Sequence, residues 1–213
     1  MDLILCKYYP YNKILKKILS IVNINFVIQF LTYSDIMMLS GWGLITPILA
    51  VFISDKIDGA DVGVAGIATT IYFITKSVLQ IPVARYIDKR KGEHDDYWIM
   101  IIGSILISAA AFMYIFATQI WQVYAIQAIY GIGSALSYPT WLAIFTRHID
   151  KNHEGFEWSM YYTTIDLGSA FAAGLGGLIA VRFGYQQLFL AVGVLSVIGT
   201  VFLTGIRGYL KKR

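Results

Sequence analysis

Charged residues are spread unevenly along the chain, and the gaps between them are long and apolar. Asp35 is the only charge between residues 18 and 54, and residues 97–146 carry none. A helix rises about 1.5 Å per residue, so about 20 apolar residues cross the hydrocarbon core of a bilayer. The first gap is too long for one straight span. We therefore place the first membrane helix at about residues 25–54.

Five further spans follow from the same reasoning. The uncharged stretch is divided at the polar pair Thr118 and Gln119, which yields the third and fourth spans. The second, fifth and sixth spans are placed at about residues 62–86, 158–181 and 184–206. The pattern predicts an all-α integral membrane protein with six transmembrane helices.

The basic residues orient these spans. Of the 17 Lys and Arg residues, all but Lys56, Lys76 and Arg182 lie on one side if both termini are on the same side. Cytoplasmic segments carry the excess of Lys and Arg. We therefore expect a multi-pass protein of the cell membrane with both termini in the cytoplasm. The predicted domains are a basic, amphipathic N-terminal segment (1–24), a six-helix membrane domain (25–207) and a basic tail (208–213).

Composition supports lipid as the surrounding solvent. Hydrophobic residues make up 57% of the 213 residues and charged residues 14%, whereas soluble domains carry about 25% charged residues. The net charge of +4 does not indicate a nucleic-acid partner, because the basic residues are sorted into short segments between apolar spans. The lipid bilayer is the predicted partner, and the basic segments suit its anionic cytoplasmic leaflet.

Enzyme chemistry is not indicated. The single Cys6 excludes an internal disulfide framework and a thiolate metal cluster. We find no phosphate-binding loop and no nucleophile–base set, so we expect no catalytic residue, no cofactor and no metal. His94 with Asp95 and Asp96 lacks convincing ligand spacing and is interpreted as a solvated loop.

Ionisable residues inside the spans are the main functional candidates. Asp35, Lys76 and Asp166 lie at membrane depth, where a charge costs roughly 2.5–3.5 kcal/mol and tends to be paired or functional. They are candidates for binding a solute or a coupling ion. A static ion pair is the equally weighted alternative, with Asp166 preferred over Asp35 as the partner of Lys76.

Four uncharged residues could line a cavity with them. Each is interpreted equally well as a helix–helix hydrogen bond or an interfacial anchor. They are Gln80, Gln127, Tyr130 and Trp141.

Two short matches suggest an internal repeat. Residues 43–47, which end in a proline, resemble residues 135–139, and the Thr-Thr-Ile at 69–71 recurs at 163–165. The spacing between the two elements is similar in both halves. Three helices followed by three inverted helices is a known transporter plan, so we expect two inverted three-helix repeats.

The loop after the second span carries the most specific motif. Residues 84–92 resemble the signature of the major facilitator superfamily, which runs Gly, three residues, Asp, Arg or Lys, one residue and Gly, followed by basic residues. Asp88 and Lys89 match, Ala84 replaces the first glycine, and Gly92 stands one place late. The resemblance implies that this loop influences which side of a transporter is open, with Arg85, Asp88, Lys89 and Gly92 as gating candidates. A solvated turn that anchors topology is the alternative.

Four more segments resemble motifs of the same family in the same order. They are residues 43–47, 127–135, 168–177 and 183–186. Gln127 stands where the family has arginine, and residues 168–177 resemble the glycine-rich motif of antiporters without its proline. In that segment Gly168, Ala172 and Gly176 share one helix face and are followed by Gly177. Small residues at this spacing allow close helix packing, which we prefer to a role in solute binding.

The resemblance implies the N-terminal six-helix half of a fold that normally has twelve helices. Its expected function is secondary active transport of a small solute by alternating access, driven by an ion gradient that could be one of protons, with export favoured over import. A cavity then requires a second six-helix half, supplied by a homodimer or a separate chain. The alternative is a non-transporting membrane scaffold or a truncated, inactive half-transporter.

Overall fold

The computed structural model describes residues 25–89 and 92–210, and helices dominate this part of the chain. Seven α-helices follow one another along it. They are α1 (Phe26–Ile45), α2 (Leu49–Lys56), α3 (Val62–Asp88), α4 (His94–Met113), α5 (Ile120–His148), α6 (Glu154–Phe183) and α7 (Tyr185–Thr204). The predicted N-terminal segment (1–24), the basic residues Arg90 and Lys91, and residues 211–213 of the tail lie outside the described residues.

Local sequence signals mark the ends of these helices. A 3₁₀ turn that contains Pro47 separates α1 from α2, so the two form one interrupted span. The side chain of Asp61 caps α3 by accepting a 2.9 Å hydrogen bond from the backbone amide of Val64. Gly184 joins α6 to α7 with a φ of +89°, a backbone conformation that a residue with a Cβ rarely adopts.

The helices correspond to the predicted spans within a few residues at most ends. Five of the described segments are long and apolar enough to cross a membrane: residues 26–56, 62–88, 94–116, 154–183 and 185–204. Helix α5 has 29 residues, but its glutamine, tyrosine and serine residues make it less apolar than these five segments. It begins directly after Gln119, where the sequence predicted the break. That α5 is a sixth membrane span remains a prediction.

The bundle is organised around α1 and α5. Helix α1 packs against α6 and α7, and α5 packs against α3 and α4, while α4 also contacts α7. If α1, α3 and α4 are exchanged for α5, α6 and α7, this set of contacts is unchanged. That exchange is compatible with the predicted inverted repeat, which itself remains a prediction.

Two apolar clusters stabilise opposite ends of the bundle. One surrounds Tyr114 and Phe189, whose rings stack with centroids 4.9 Å apart. The other surrounds Phe145 and Tyr161. Near the first cluster, the backbone amide of Asp58 donates a 3.0 Å hydrogen bond to the carbonyl of Thr118, so the loops that precede α3 and α5 lie at the same end.

Candidate functional site

Two cavities lie one after the other along α1, α3 and α5. The first, of about 230 Å³, is lined by Asp35 and Lys76, and we call it the charged cavity. The second, of about 540 Å³, has no charged residue in its lining and includes Thr46 and Thr69; we call it the neutral cavity. Along the interrupted span of α1 and α2, the charged cavity is lined by residues between 35 and 42 and the neutral cavity by residues between 42 and 53, so the two occupy different depths of the bundle.

A stack of three aromatic rings separates the two cavities. Tyr130 of α5 lies between Trp42 of α1 and Tyr72 of α3, with ring centroids 4.0 and 4.6 Å away and nearly parallel planes. These three residues line both cavities. Stacked rings of this kind pack without a covalent or ionic link. Each ring belongs to a different helix, so relative motion of the three helices would part the stack.

The acidic group of the charged cavity is held by α6. The hydroxyl of Tyr161 donates a 2.6 Å hydrogen bond to Oδ2 of Asp35. The Tyr161 ring also packs 4.9 Å from the ring of Trp141, so it is fixed from the side of α5 as well. The sequence placed Asp35 at membrane depth, but it did not identify its hydrogen-bond donor.

The basic group of the same cavity rests on aromatic rings. Nζ of Lys76 lies 5.0 Å from the ring centroid of Tyr138 and 5.8 Å from that of Tyr72. Such cation–π contacts contribute about 0.5–2 kcal/mol, depending on how far the cation is desolvated.

The prediction that Lys76 forms an ion pair with Asp166 is wrong. Both Lys76 and Asp166 belong to the described part of the chain, and they form no ion pair within 4.0 Å of each other. Asp166 is exposed on α6 and lines neither cavity described above. The acid that lines a cavity with Lys76 is Asp35, although these two side chains also form no ion pair within 4.0 Å.

Two buried indole groups add unused hydrogen-bond donors to the charged cavity. Trp42 and Trp141 both line it, and each is at most 6% exposed. The Nε1 atoms of both residues are buried, and the structure describes no hydrogen-bond partner for either. Buried polar groups are almost always bonded to protein, water or ligand, so these donors point to an acceptor from water or from a bound ligand.

The two glutamine candidates lie in different environments. Gln127 is buried, lines the neutral cavity, and donates a 2.9 Å hydrogen bond from Nε2 to the hydroxyl of Tyr114. Gln127 therefore both lines a cavity and makes a hydrogen bond from α5 to the turn that follows α4. Gln80 is half-buried on α3 and lines neither the charged nor the neutral cavity.

The buried charges near the loop between α3 and α4 are not the predicted gating residues. Arg85, Asp88 and Lys89 are exposed. Gly92 has a φ of +105°, so the turn requires a residue without a Cβ. The buried acids are Glu93 and Asp96, which are 2% and 0% exposed.

The C-terminal end of α5 supplies the partners of these acids. Nη1 of Arg147 lies 2.6 Å from Oδ2 of Asp96, and Nε2 of His148 lies 3.8 Å from Oε2 of Glu93. The interpretation of this region as a solvated loop was therefore wrong. Asp96 lies in the first turn of an apolar helix and Arg147 in the last turn of another, and this could have suggested the pairing. The sequence alone did not bring the two segments together.

The small residues of α6 lie against α1. A Cβ added at Gly168 would approach Oγ of Ser40 to 2.5 Å, and one added at Gly176 would overlap the backbone carbonyl of Leu44. Ala172 lies on the same face, beside Gly43. Gly177 differs, because a Cβ there would meet no atom within 4 Å.

No group of three or more histidine, cysteine, aspartate or glutamate side chains could hold a metal ion within residues 25–89 and 92–210. The residues that sequence reasoning missed are aromatic: Trp42, Tyr72, Tyr138 and Tyr161. Aromatic residues make up 15% of this chain, so the residue type alone gave no signal of a shared cavity.

A helical bundle with five described segments long and apolar enough to cross a membrane defines the class: a polytopic membrane protein. The family model described as the Major Facilitator Superfamily matches residues 26–211. The chain belongs to this family, whose members are transporters rather than enzymes.

Two comparisons add detail. The chain is 24% identical over 162 residues to the "Multi-drug resistance efflux pump PmrA homolog" of Lactococcus lactis subsp. lactis (strain IL1403), an alignment that covers 76% of this chain and 39% of the relative. It superposes on the in meso crystal structure of the POT family transporter PepTSo with a TM-score of 0.71 and 20% identity, covering 85% of this chain and 37% of that one. The chain thus spans about two fifths of the length of these relatives.

Proposed function

We propose that this chain is one half of a secondary active transporter, which moves a small solute across the membrane by alternating access. An ion gradient drives the cycle, with the proton as the coupling ion and Asp35 as its candidate acceptor. Export is favoured over import because the L. lactis relative is named as an efflux pump homologue. The coarser part of the proposal, membrane transport, is supported by membership of the family.

The observation that carries the proposal is the aromatic stack between the two cavities. Alternating access requires a binding region that opens to one side at a time, and a barrier that can part. The stack of Trp42, Tyr72 and Tyr130 is contributed by three helices and lies between cavities at two depths. Relative motion of these three helices would part the barrier, as alternating access requires.

A second six-helix half is part of the proposal. In the most apolar window of each span, 11% of residues are buried in α3 and 17% in α6, against 39–50% in the other three candidate spans. Asp166 is exposed on α6. A charged group facing lipid is costly, so a protein surface that covers α3 and α6 would stabilise the bundle. A homodimer or a separate chain of the same fold would supply it.

The test uses cysteine accessibility, because it requires no knowledge of the solute. In a Cys6→Ser background, Thr46→Cys reports on the neutral cavity and Ser137→Cys on the charged cavity. We expect a proton gradient across the membrane to change the rates at which a small impermeant thiol reagent labels these two positions, and to change them in opposite directions. Leu190→Cys, on the exposed face of α7, is the control whose rate should not change.

The same experiment separates the proposal from its alternative, a non-transporting scaffold or an inactive half. Labelling rates that are equal with and without gradients of protons or sodium would favour the scaffold. Assembly is tested separately by native mass spectrometry from lipid nanodiscs. We expect a dimer or a complex with a second half, and a strictly monomeric particle that transports a solute would contradict the two-half arrangement.

A further inference from the structure

The charged cavity contains one acid and one base that do not neutralise each other directly. Asp35 enters from α1 and Lys76 from α3, and no ion pair within 4.0 Å joins them. Two opposite charges at membrane depth normally pair, because each unpaired charge is costly there. Here Asp35 accepts a hydrogen bond from Tyr161 instead, and Lys76 lies over the rings of Tyr72 and Tyr138.

The lining of the cavity therefore carries polar groups of two opposite kinds. Lys76 offers an ammonium group, and the buried Nε1 donors of Trp42 and Trp141 belong to the same lining and have no described acceptor. These three groups can only donate hydrogen bonds. The opposite kind is the carboxylate of Asp35, of which Oδ2 accepts the Tyr161 hydrogen bond.

Size and the remaining lining restrict what can bind. About 230 Å³ is below the roughly 300–1,000 Å³ of pockets that hold drug-sized ligands. Met38, Leu39 and Ile107 supply apolar surface in the same cavity. A solute that carries a single charge would leave either Asp35 or Lys76 uncompensated, whereas a solute with both charges compensates each and adds no net charge.

We infer that the charged cavity binds a small zwitterionic solute with an apolar side group, of the size of a single α-amino acid. Its anionic group is held by Lys76 and the indole N–H groups of Trp42 and Trp141, and its cationic group by Asp35. This inference rests on the proposed transport function and names the substrate class of the same site. It also gives Tyr161 a positioning role, because its hydroxyl orients the Asp35 carboxylate.

Matched sets of ligands test the inference in the full chain reconstituted in lipid nanodiscs. Leucine is compared with 4-methylpentanoate, which lacks the amine, and with 3-methylbutylamine, which lacks the carboxylate. Phenylalanine, 3-phenylpropanoate and 2-phenylethylamine form a second set of larger size. Binding is followed by tryptophan fluorescence, because Trp42 and Trp141 line the cavity. We expect at least one zwitterion to bind about tenfold or more tightly than both of its analogues, which corresponds to about 1.4 kcal/mol.

Two substitutions assign the ends of the ligand. Lys76→Met should abolish the preference for the zwitterion over the amine analogue and retain the preference over the carboxylate analogue. Asp35→Asn should do the reverse. Ser77→Ala changes an exposed neighbour of Lys76 and should leave all affinities unchanged. The wild-type comparison alone can overturn the inference, so it does not depend on the folding of either variant.

Three results would overturn the inference. A singly charged analogue could bind as tightly as its zwitterion, or no member of either set could bind at concentrations up to about 10 mM. Lys76→Met could also have equal effects on both preferences. These results differ from a failure of the transport proposal. If the zwitterion binds but labelling of Thr46→Cys and Ser137→Cys never responds to a gradient, the site exists and the transport proposal is wrong. If labelling responds but no zwitterion binds, only the substrate class is wrong.

Discussion

The hydroxyl of Tyr161 donates a 2.6 Å hydrogen bond to Oδ2 of Asp35, so a residue of α6 holds the acid of α1 inside the charged cavity. The bond links two helices whose packing also depends on the small residues Gly168 and Gly176. Positioning of the cavity and packing of the bundle are therefore coupled through the same pair of helices.

Removal of this donor should destabilise the bundle. Tyr161→Phe keeps the ring in contact with Trp141 and removes only the hydroxyl, which leaves the Asp35 carboxyl without its described donor. A hydrogen bond to a charged group contributes about 1.5–3 kcal/mol, so we expect a loss at the lower end of this range in the free energy of unfolding, measured in mild detergent. Tyr162→Phe alters an exposed neighbour and should change stability little. Equal effects of the two substitutions would mean that the bond does not stabilise the fold.

Lys76 should be coupled to Tyr138 and not to Asp166. In a double-mutant cycle of Lys76→Ala with Tyr138→Leu, we expect a coupling free energy of about 0.5–1 kcal/mol, because the ammonium lies over the ring. The cycle of Lys76→Ala with Asp166→Ala should be additive within about 0.5 kcal/mol, since no ion pair joins these residues. Unfolding free energies of the wild type and the three variants in each cycle supply the measurement. Strong coupling to Asp166 would show that the two residues meet in a state that differs from this structure.

Gly176 should tolerate no side chain, although its neighbour Gly177 should. Gly176→Ala places a Cβ onto the carbonyl of Leu44, so α6 must move away from α1. Overpacking of this kind costs about 1–3 kcal/mol, and we expect the melting temperature to fall. Gly177→Ala meets open space and is the matched control. If both substitutions leave the melting temperature unchanged, the close approach of α6 to α1 is not present in the membrane.

Arg147 should matter more for stability than the exposed basic residues of the loop after α3. Arg147→Met leaves the fully buried Asp96 without its cation. We expect a loss of about 2 kcal/mol, less than for a fully buried pair, because 32% of the Arg147 side chain is exposed. Lys89→Met, an exposed control, should stay within about 0.5 kcal/mol of wild type.

A substitution at Asp88 should affect transport without affecting stability. Because Asp88 is exposed, Asp88→Asn should leave the unfolding free energy nearly unchanged, whereas its resemblance to the family signature predicts slower transport. Normal transport by Asp88→Asn would leave the loop with a role in topology only. A loss of stability as large as that of Arg147→Met would place Asp88 in the buried network instead.

Topology gives a prediction for the whole map of spans. In a Cys6→Ser background, Asp58→Cys and Gln119→Cys should react with an impermeant thiol reagent from outside the cell, and Lys89→Cys only after the membrane is permeabilised. The loops that carry Asp58 and Gln119 lie side by side, so these two positions must behave alike whichever side they occupy. If Lys89→Cys alone were labelled in intact cells, the orientation would be the reverse of the predicted one.

The sequence by itself determined the membrane character of the chain and the positions of its apolar helices. The hydrocarbon core imposes a minimum apolar length and disfavours charge, so uncharged stretches and the helix break at Gln119 can be read directly. The break at Pro47 inside the first span was not predicted. The same reasoning placed Asp35 and Lys76 at membrane depth. Ordered motifs also indicated the family.

Only the tertiary structure decided which side chains meet. In lipid, the outward faces of helices are as apolar as the inward ones, so the sequence pattern carries little information on how each helix is rotated about its axis. That rotation turns Lys76 towards the cavity of Asp35 and leaves Asp166 exposed. It also buries Asp96 against Arg147, 51 residues away along the chain. The cavity, its aromatic partition and its two charged groups depend on packing between helices, which no local pattern encodes.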